Sequence, residues 1–335
     1  MAYDWIFSAL GMTDACKTDS GPLLSLSSLR NEAPNPWDLP FPSLDTLNEA
    51  CAAFPKTRDF TAALEDGFLY IRPALRTILD PLTQPLSWAL DGALTLFVEM
   101  PWWILVPLLI LVAKLLSNSY KVASIVATSF LFLLFVDYYE FAIQTLSIIF
   151  VCTVLCVAFG VPLGIAMSRS DRFQNAIIPI LDMLQTLPTF VYLIPLIFLF
   201  NITEPKLYGL AIILYAIVPV VRLTNLGIRL VDRDVMEAVT AFGLTDRQKL
   251  YRVQIPLALP NIMAGVNQTI MMSLAMVVIA SLVSAPGLGT LVLDGINNLR
   301  LGVGFLAGFG IVLIAIMLDR VSKAALARID KSNKS

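Results

Sequence analysis

Long apolar stretches separated by short polar ones make up most of the chain after residue 100. Seven such stretches lie at 101–116, 122–135, 141–167, 184–200, 208–221, 262–284 and 302–318. A helix needs about 20 mostly apolar residues to cross the roughly 30 Å hydrocarbon layer of a bilayer. The pattern therefore predicts an all-α polytopic membrane protein with about seven transmembrane helices, and the number of spans before residue 140 stays open.

Composition agrees with a membrane protein. The chain is 57% hydrophobic and 14% charged, with a mean hydropathy of +0.77, outside the range of ordinary soluble domains. It contains no histidine, which excludes metal and catalytic chemistry based on that residue. Cys152 and Cys156 lie one helical turn apart in an apolar stretch and are expected to pack as small apolar residues. The cysteine spacing gives no indication of a disulfide framework.

Charge is distributed unevenly and orients the predicted spans. Residues 1–100 hold thirteen acidic and six basic side chains, whereas residues 101–335 hold twelve acidic and seventeen basic ones. Basic connections between spans face the cytoplasm. The segments 168–182 and 222–261 and the C-terminus are therefore expected in the cytoplasm, which places the acidic N-terminus outside.

The first hundred residues divide into two predicted segments. Residues 1–58 are expected to form an extended, poorly ordered acidic tail, and no cleaved signal peptide is indicated. Residues 59–100 have apolar positions at helical spacing, which predicts an amphipathic membrane-surface helix broken near Pro81 and Pro85. A small soluble helical subdomain is the alternative. The transmembrane domain is expected at 101–325 and a cytoplasmic tail at 326–335.

One polar segment, EAVTAFGLTDRQKLYRVQIP (237–256), interrupts the apolar stretches with strong local signals. Asp232 or Asp234 can cap a first short helix, and Gly243 falls where a helix end requires a left-handed backbone. Thr245 and Gln248 form a capping-box pattern that begins a second helix. The sequence predicts two amphipathic helices bent at the glycine, able to dock on a partner. An ordered cytoplasmic loop without a partner is the alternative.

The same segment resembles the EAA loop of ABC-importer permeases. That loop has Glu-Ala-Ala, three residues, Gly, nine residues and then Ile-x-Leu-Pro; here Val239 replaces the second alanine, and Val253 and Ile255 replace the two aliphatic residues. The resemblance implies the type I ABC importer permease fold, with residues 223–261 as a cytoplasmic coupling loop. It also implies that residues of this loop contact a separate ATPase; these residues are Glu237, Ala238, Phe242, Gly243, Ile255 and Pro256.

Four further stretches, at 181–195, 216–229, 259–281 and 286–296, resemble the glycine betaine/proline betaine permeases, so that the resemblance covers about residues 140–325. It implies a permease in the bacterial cytoplasmic membrane that imports glycine betaine or a related quaternary or methylated amine. The implied partners are two ATPase copies, an external substrate-binding protein, a second permease copy and the lipid membrane, with no nucleic acid. Trimethylamine N-oxide, choline or carnitine are the alternative substrates.

The chain itself is expected to be non-catalytic. It contains no GxxxxGK[ST] sequence, so the ATPase is expected to be a different polypeptide that holds ATP and Mg²⁺, while this chain binds no cofactor or metal. An ion-driven secondary transporter is a more distant alternative, because the predicted spans hold few ionisable residues. A membrane-embedded enzyme is disfavoured because no catalytic residue set is present.

Polar and aromatic residues within the spans are the candidates for the substrate pathway. They are Gln185, Thr186, Phe190, Tyr192, Tyr215, Asn267, Gln268 and Ser273. An aromatic face attracts a methylated ammonium group by about 0.5–2 kcal/mol. Interhelical packing is the alternative for each residue. The pairs Gly160–Gly164 and Gly304–Gly308 have the spacing of close helix crossings.

Overall fold

A computed structural model of the chain describes residues 43–51 and 54–334, and most of them are helical. The helices are α1 Leu44–Ala50, α2 Thr57–Glu99, α3 Trp102–Ser117, α4 Tyr120–Phe135, α5 Tyr139–Arg169, α6 Asp171–Thr186, α7 Leu193–Leu199, α8 Pro205–Arg229, α9 Arg233–Ala241, α10 Asp246–Lys249, α11 Ile255–Ala280, α12 Leu288–Asn297 and α13 Leu301–Lys334. Two 3-10 turns, Thr189–Tyr192 and Ser281–Val283, and a π turn, Leu250–Gln254, lie between them. Strands are absent from the described residues, and the all-α prediction is confirmed.

The described part of the chain holds four helical runs long and apolar enough to cross a membrane, and up to six if two bent pairs count as one span each. The four runs are Tyr139–Arg169, Pro205–Arg229, Asp246–Val283 and Leu301–Arg328. The bent pairs are α2 with α3, at 111°, and α6 with the segment Thr189–Leu199, at 106°. Helices α3 and α4 have 16 residues each. Each is therefore only about 24 Å long, short of the hydrocarbon layer.

The fourth predicted span, 184–200, is not one helix. It breaks between α6 and the 3-10 turn, where Leu187 has an extended backbone with ψ 133°. The cause is local, since Pro188 disfavours the helical conformation of the residue before it. Residues 171–182, which belong to the expected cytoplasmic connection 168–182, are helical and form most of α6, and the Phe173 N–H donates to the Ser170 hydroxyl at the start of this helix.

Helices α5 and α8 approach each other through glycines. A Cβ on Gly160 would overlap Val220, and a Cβ on Gly164 would lie 2.7 Å from the Val221 carbonyl oxygen and 2.6 Å from Thr224 Cβ. Both helices advance by four residues between these contacts, so they run parallel. The prediction of a close crossing at Gly160 and Gly164 is confirmed.

Helix α11 packs against the same region of α8 in the opposite direction. Gly265 faces the Val220 backbone, and Gly227, later in α8, faces Asn261, earlier in α11. Because the residue numbers rise along one helix while they fall along the other, the two helices are antiparallel. Together α5, α8 and α11 form a closely packed three-helix core.

Because α5 and α8 run parallel, the segment between them must return the chain from the end of α5 to the start of α8. Asp171 at the start of α6 pairs with Arg229 at the end of α8, at 2.6 Å. Beyond the bend, the Phe200 ring lies 5.3 Å from the Lys206 Nζ at the start of α8. Residues 171–200 therefore return the chain along the whole length of α8, which makes them a broken span rather than a re-entrant loop.

The second predicted glycine pair is confirmed only in part. Gly304 of α13 lies at a crossing with Gly295 of α12, where the backbones meet. A Cβ on Gly308 would meet no described atom within 4 Å. Spacing alone does not show which helix face is covered, so the prediction for Gly308 is wrong.

The described residues divide after Leu75 into two compact units. In the first unit, the Ser43 hydroxyl caps α1, and the Asp45 carboxylate accepts a 2.8 Å hydrogen bond from the Thr57 N–H. The predicted extended tail is therefore wrong at residues 44–50, and its residues 1–42 lie outside the described residues. Cys51 is disulfide-bonded, a bond that the cysteine spacing does not predict, whereas Cys152 and Cys156 are free and buried as expected.

Helix α2 continues to Glu99 without the predicted break at Pro81 and Pro85. Beyond both prolines, the side chains of Leu86 and Leu90 pack against Gly209 of α8. This packing fixes the helix against α8 beyond both prolines, although each proline removes one backbone hydrogen bond. The amphipathic helix is therefore longer and more regular than predicted, and its position at the membrane surface stays a prediction.

An ionic cluster also holds the second half of α2 to the start of α8. The Lys206 ammonium lies 2.7 Å from the Asp80 carboxylate and 3.0 Å from that of Glu204, and its side chain is only 5% exposed. Arg76 bridges the same two carboxylates at 2.9 and 3.3 Å. A buried ammonium with two carboxylate partners is well compensated, so the cluster fixes α2 against α8.

At the other end of the chain, α13 runs through the predicted cytoplasmic tail without a break. It begins at Leu301 and ends at Lys334, so that residues 326–334 continue the last predicted span as helix. The predicted boundary at residue 325 has no counterpart in the backbone.

Candidate functional site

The connection between α8 and α11, here called the polar loop (residues 230–254), has the local structure that its sequence predicts. The Asp232 carboxylate caps α9 by accepting a 3.0 Å hydrogen bond from the Asp234 N–H. Helix α9 ends at Ala241, and Gly243 has a φ of +75°. This left-handed conformation is common at helix C-termini and is disfavoured for residues with a Cβ.

The predicted capping box begins α10. The Thr245 hydroxyl accepts from the Gln248 N–H at 3.4 Å, and the Gln248 side-chain oxygen accepts from the Thr245 N–H at 2.9 Å. Each residue thus satisfies a backbone N–H that a helix start leaves free. The second helix is shorter than predicted, because a π turn replaces the α-helix at Leu250–Gln254.

The tip of the polar loop is exposed. Phe242 is 84% exposed, and Glu237 and Ala238 are also exposed. On α9, a shallow hollow of about 410 Å³ is lined by Arg233, Met236, Glu237 and Thr240, which occupy one helix face at spacings of three and four. Phe242 and the charged face of α9 are thus both accessible to another protein.

The root of the polar loop, in contrast, is buried between spans. Leu250 is 3% exposed and clusters with Ile228 of α8 and Ala258 and Ile262 of α11. Ile255 packs at the edge of this cluster, together with Val161 and Ile165 of α5. The root of the polar loop therefore contacts all three core helices.

Hydrogen bonds from one arginine join the helix ends beside the root. The Arg229 guanidinium donates to Asp171 at 2.6 Å, to the Met167 carbonyl at 3.0 Å and to Asn225 at 3.1 Å. The end of α5, the start of α6 and the end of α8 thus meet where the polar loop begins. This junction gives the loop a rigid base.

The six predicted coupling residues divide between these two parts. Glu237, Ala238, Phe242 and Gly243 lie at the tip, whereas Ile255 and Pro256 lie at the start of α11, with Ile255 half-buried and Pro256 exposed. They do not form one surface patch. The sequence frame therefore marks both ends of one structural element, and the role of each residue stays a prediction.

Four of the pathway candidates lie at the corner of the broken span. Gln185 and Thr186 end α6, the first half-buried and the second exposed. In the 3-10 turn that follows, Phe190 is 57% exposed and Tyr192 is 7% exposed. The turn contacts α11, so the corner lies beside the helix that carries three other candidates.

The remaining candidates have different surroundings. On α8, Tyr215 is half-buried; on α11, Gln268 is exposed and Ser273 is fully buried, its hydroxyl having no hydrogen-bond partner among the described residues. The Asn267 amide donates to Asp319 of α13 at 3.4 Å and accepts from the Ser322 hydroxyl. Asn267 therefore joins α11 to α13, the packing alternative given for it above.

Sequence reasoning missed the ion pair between Arg222 of α8 and Asp182 of α6. Its partners lie 40 residues apart, and the pair joins the broken span to the three-helix core. An arginine at the end of an apolar stretch was the only available signal, and it does not identify a partner.

Comparisons with known proteins agree with this architecture. Residues 157–334 match the family described as "Binding-protein-dependent transport system inner membrane component". The chain is 39% identical over 261 residues to the glycine betaine/proline betaine transport system permease protein ProW of Escherichia coli (strain K12), covering 77% of this chain and 73% of ProW. It is 40% identical over 229 residues to the glycine betaine transport system permease protein OpuAB of Bacillus subtilis (strain 168), covering 68% and 76%.

A similar fold occurs in a solved structure. The inward-facing MetNI methionine ABC transporter contains a chain that matches with a TM-score of 0.52 at 15% identity, over 57% of this chain and 95% of that one. At this identity the likeness concerns the fold alone. It confirms the type I importer permease fold expected from the resemblance of the polar loop.

Proposed function

This chain belongs to the family of binding-protein-dependent transport system inner membrane components, and we propose that it is the permease subunit that imports glycine betaine or a related quaternary or methylated amine. The observation that carries the proposal is the polar loop, with an exposed tip and a root buried between three spans. The two relatives named above support the substrate class. The chain is an ABC importer permease of the inner membrane.

We propose that the polar loop couples the spans to an ATPase on a separate polypeptide. The exposed Phe242 would enter an apolar groove of that subunit, and ATP binding and hydrolysis would move it. Leu250, held between α8 and α11, would transmit the movement to the core. The nucleotide and Mg²⁺ belong to the ATPase in this proposal, and the permease itself binds no cofactor.

We further propose that two copies of the chain form the pathway at their shared interface, with two ATPase copies inside and a binding protein outside. At the corner of the broken span, Phe190 and Ile194 are 57% and 54% exposed, which leaves an apolar face uncovered within one copy. Helices α5 and α8 run parallel and α11 opposite to them, as alternate crossings of a membrane with the broken span between α5 and α8 require. The uncovered apolar face supports an interface between two copies, and an outside N-terminus with a cytoplasmic C-terminus is part of the proposal.

Among the aromatic pathway candidates, Phe190 has the most accessible ring. Its face could attract a methylated ammonium group by cation–π interaction. Tyr192 and Tyr215 are more buried and would support the corner from behind. The binding protein is expected to set most of the substrate specificity.

Uptake of labelled glycine betaine by the complete importer tests the proposal. The chain is expressed with its ATPase and binding protein in cells that lack other osmolyte importers, with proline betaine, choline and trimethylamine N-oxide as competitors. ATP-dependent uptake that proline betaine competes for best supports the proposal. Accumulation of trimethylamine N-oxide or choline without betaine would change the substrate class, and uptake abolished by an ionophore while ATP persists would indicate an ion-driven transporter.

A further inference from the structure

One ion pair within the spans is not part of the coupling proposed above. The Arg222 guanidinium of α8 donates to the Asp182 carboxylate of α6. Helix α8, from Pro205 to Arg229, has 25 residues and is long and apolar enough to cross a membrane. Arg222 lies about 26 Å along this helix, so a hydrocarbon layer of roughly 30 Å that begins with α8 contains it, near the end that leads to the polar loop.

Both charged groups are accessible within one copy of the chain. The side chain of Arg222 is 39% exposed and that of Asp182 is 53% exposed. An exposed charge at this depth is costly against lipid, and it is tolerated where it meets water or another protein chain. The face that carries the pair therefore belongs to the interface between two copies or to the aqueous pathway that this interface encloses.

On α6, the pair lies beside the pathway candidates at the corner of the broken span. Asp182 and Thr186 are four residues apart and therefore share one helix face. Both are exposed, and Thr186 ends α6 where the chain turns towards Phe190. Asp182 thus lies one helical turn, about 6 Å, before the corner.

On α8, the pair lies on the same face as another candidate. Tyr215 is seven residues, or two turns, before Arg222 and shares its face. Helices α6 and α8 are antiparallel, because Asp171 pairs with Arg229 and Asp182 with Arg222. The residues that follow Asp182 therefore approach Tyr215. The ion pair thus continues the line of candidates from the corner towards the polar loop.

The pair leaves hydrogen-bonding capacity unused. A single hydrogen bond joins Nη2 of Arg222 to Oδ1 of Asp182. Among the described residues, Nε of Arg222 has no acceptor. A guanidinium favours two parallel hydrogen bonds to a carboxylate. The Arg222 side chain would therefore gain a partner by turning towards a second carboxylate.

We propose that Arg222 and Asp182 form a binding site for zwitterionic amines in the half of the pathway nearer the polar loop. The substrate carboxylate binds Arg222, and its ammonium group lies beside Asp182. This site rests on the proposed function, which supplies the pathway and the substrate class. A quaternary ammonium has no N–H to donate, so its attraction to Asp182 is ionic. An amine without a carboxylate meets one of the two charges and leaves the other unpaired, so the site favours glycine betaine over choline.

Protection of a neighbouring thiol in the complete importer tests this site. Thr186→Cys places a thiol one turn from Asp182, where a water-soluble methanethiosulfonate reagent should label it. Cys152 and Cys156 are buried and Cys51 is disulfide-bonded, and labelling of the parent chain measures the background. Excess glycine betaine should slow the labelling about fivefold, as occupancy of most sites would. Choline and acetate, which carry one charge each, should not slow it.

Removing either charge should change which compound protects the thiol. Arg222→Gln leaves Asp182 unpaired, so choline should now protect and glycine betaine should protect less. Asp182→Asn leaves the guanidinium unpaired, so acetate should protect. Lys323→Gln breaks an ion pair within α13 and should leave the original order of protection unchanged. A pair that only ties α6 to α8 would produce neither exchange of ligand.

Thermal unfolding shows whether each variant is folded, and Asp182→Asn carries the test if Arg222→Gln is not. A thiol at position 186 that stays unlabelled, or an order of protection that the folded charge variants leave unchanged, would overturn the site. Uptake by the unmodified importer distinguishes this result from failure of the proposed function. Glycine betaine uptake with an unchanged order rejects the site alone, whereas no uptake of any amine rejects the proposed function and the site with it.

Discussion

The three-helix core and the polar loop use glycine for opposite reasons. In the core, a Cβ on Gly164 would meet the Val221 backbone, so the absence of a side chain allows two helices to touch. In the polar loop, a Cβ on Gly243 would meet no described atom within 4 Å, and its φ of +75° is what requires glycine. The core is held by contacts between distant residues, and the loop by hydrogen bonds between close neighbours.

This difference has a functional consequence. A region that is folded by its own caps can keep its shape without burying its apolar side chains, and Phe242 in this region is 84% exposed. Such a region can meet and leave a partner without unfolding. The core helices cannot separate from one another without unfolding, because the contacts between them stabilise the core. A substitution in the core should therefore reduce the amount of folded protein, whereas a substitution at the tip of the loop should reduce uptake or association with a partner.

The largest effect is expected from Gly164→Leu in the core. Its Cβ would lie 2.7 Å from a backbone oxygen, which cannot turn away as a side chain can. Overpacking of this kind destabilises by about 3 kcal/mol, the upper end of its usual range. We expect little folded protein in the membrane, measured by the amount extracted as a single species and by its thermal unfolding. Gly308→Leu on α13, where the space is open, is the matched control and should unfold as the wild type does.

Comparable losses from both glycine variants would show that any leucine at a glycine is harmful, and the contrast with the loop would fail. Unchanged folding of Gly164→Leu would show that α5 and α8 can separate at this crossing. The control also tests the corrected assignment of Gly308 as a position that is not at a helix crossing.

The same contrast separates the features that the sequence predicts from those that it does not. The caps at Asp232 and Thr245 and the left-handed Gly243 depend on residues three or four apart, and all of them were predictable. The apolar stretches fall on helices because a span's length and polarity are local properties. Pro188 indicated a break at Leu187, but the long apolar run around it favoured the prediction of one continuous span.

Features that join distant residues were not predictable. The cluster of Lys206 with Asp80 and Glu204 and the pair of Arg222 with Asp182 join helices whose packing no local pattern specifies. The same limit applies to the site. The frame from Glu237 to Pro256 was visible in the sequence, but its division into an exposed tip and a buried root became visible only when Leu250 was placed against α8 and α11.

The second largest effect is expected from Gly243→Val, which tests whether the loop depends on backbone conformation. A Cβ in the left-handed region costs about 1–2 kcal/mol, and a branched residue is at the upper end. The tip should shift relative to the root, so that betaine uptake falls at least severalfold while the amount of protein in the membrane is unchanged. Gly243→Asn should retain most uptake, because asparagine tolerates this conformation. Normal uptake by the valine variant would remove the case for a rigid loop.

A smaller effect is expected from Phe242→Ala, which removes the exposed ring at the tip without disturbing a packed neighbour. If the ring is buried in the ATPase, its loss should weaken that association about tenfold, within the usual value of a buried phenylalanine. Co-purification of the ATPase at graded concentrations measures it. The control is Phe135→Ala, which removes a ring that is 90% exposed at the end of α4, outside the polar loop, and should leave the association intact. Equal affinities for both variants would place the contact elsewhere.

The smallest effect is expected from Thr245→Ala, which removes half of the capping box that begins α10. Loss of an N-cap hydroxyl costs about 1 kcal/mol, and here the cost should remain within the polar loop because α10 has no buried residue. Amide hydrogen exchange should accelerate about fivefold in residues 245–249, while the core exchanges as before. Thr245→Ser keeps the hydroxyl and should exchange as the wild type does. Faster exchange that extends into α8 and α11 would show that the loop and the core unfold together, and the two regions would then be one cooperative unit rather than two.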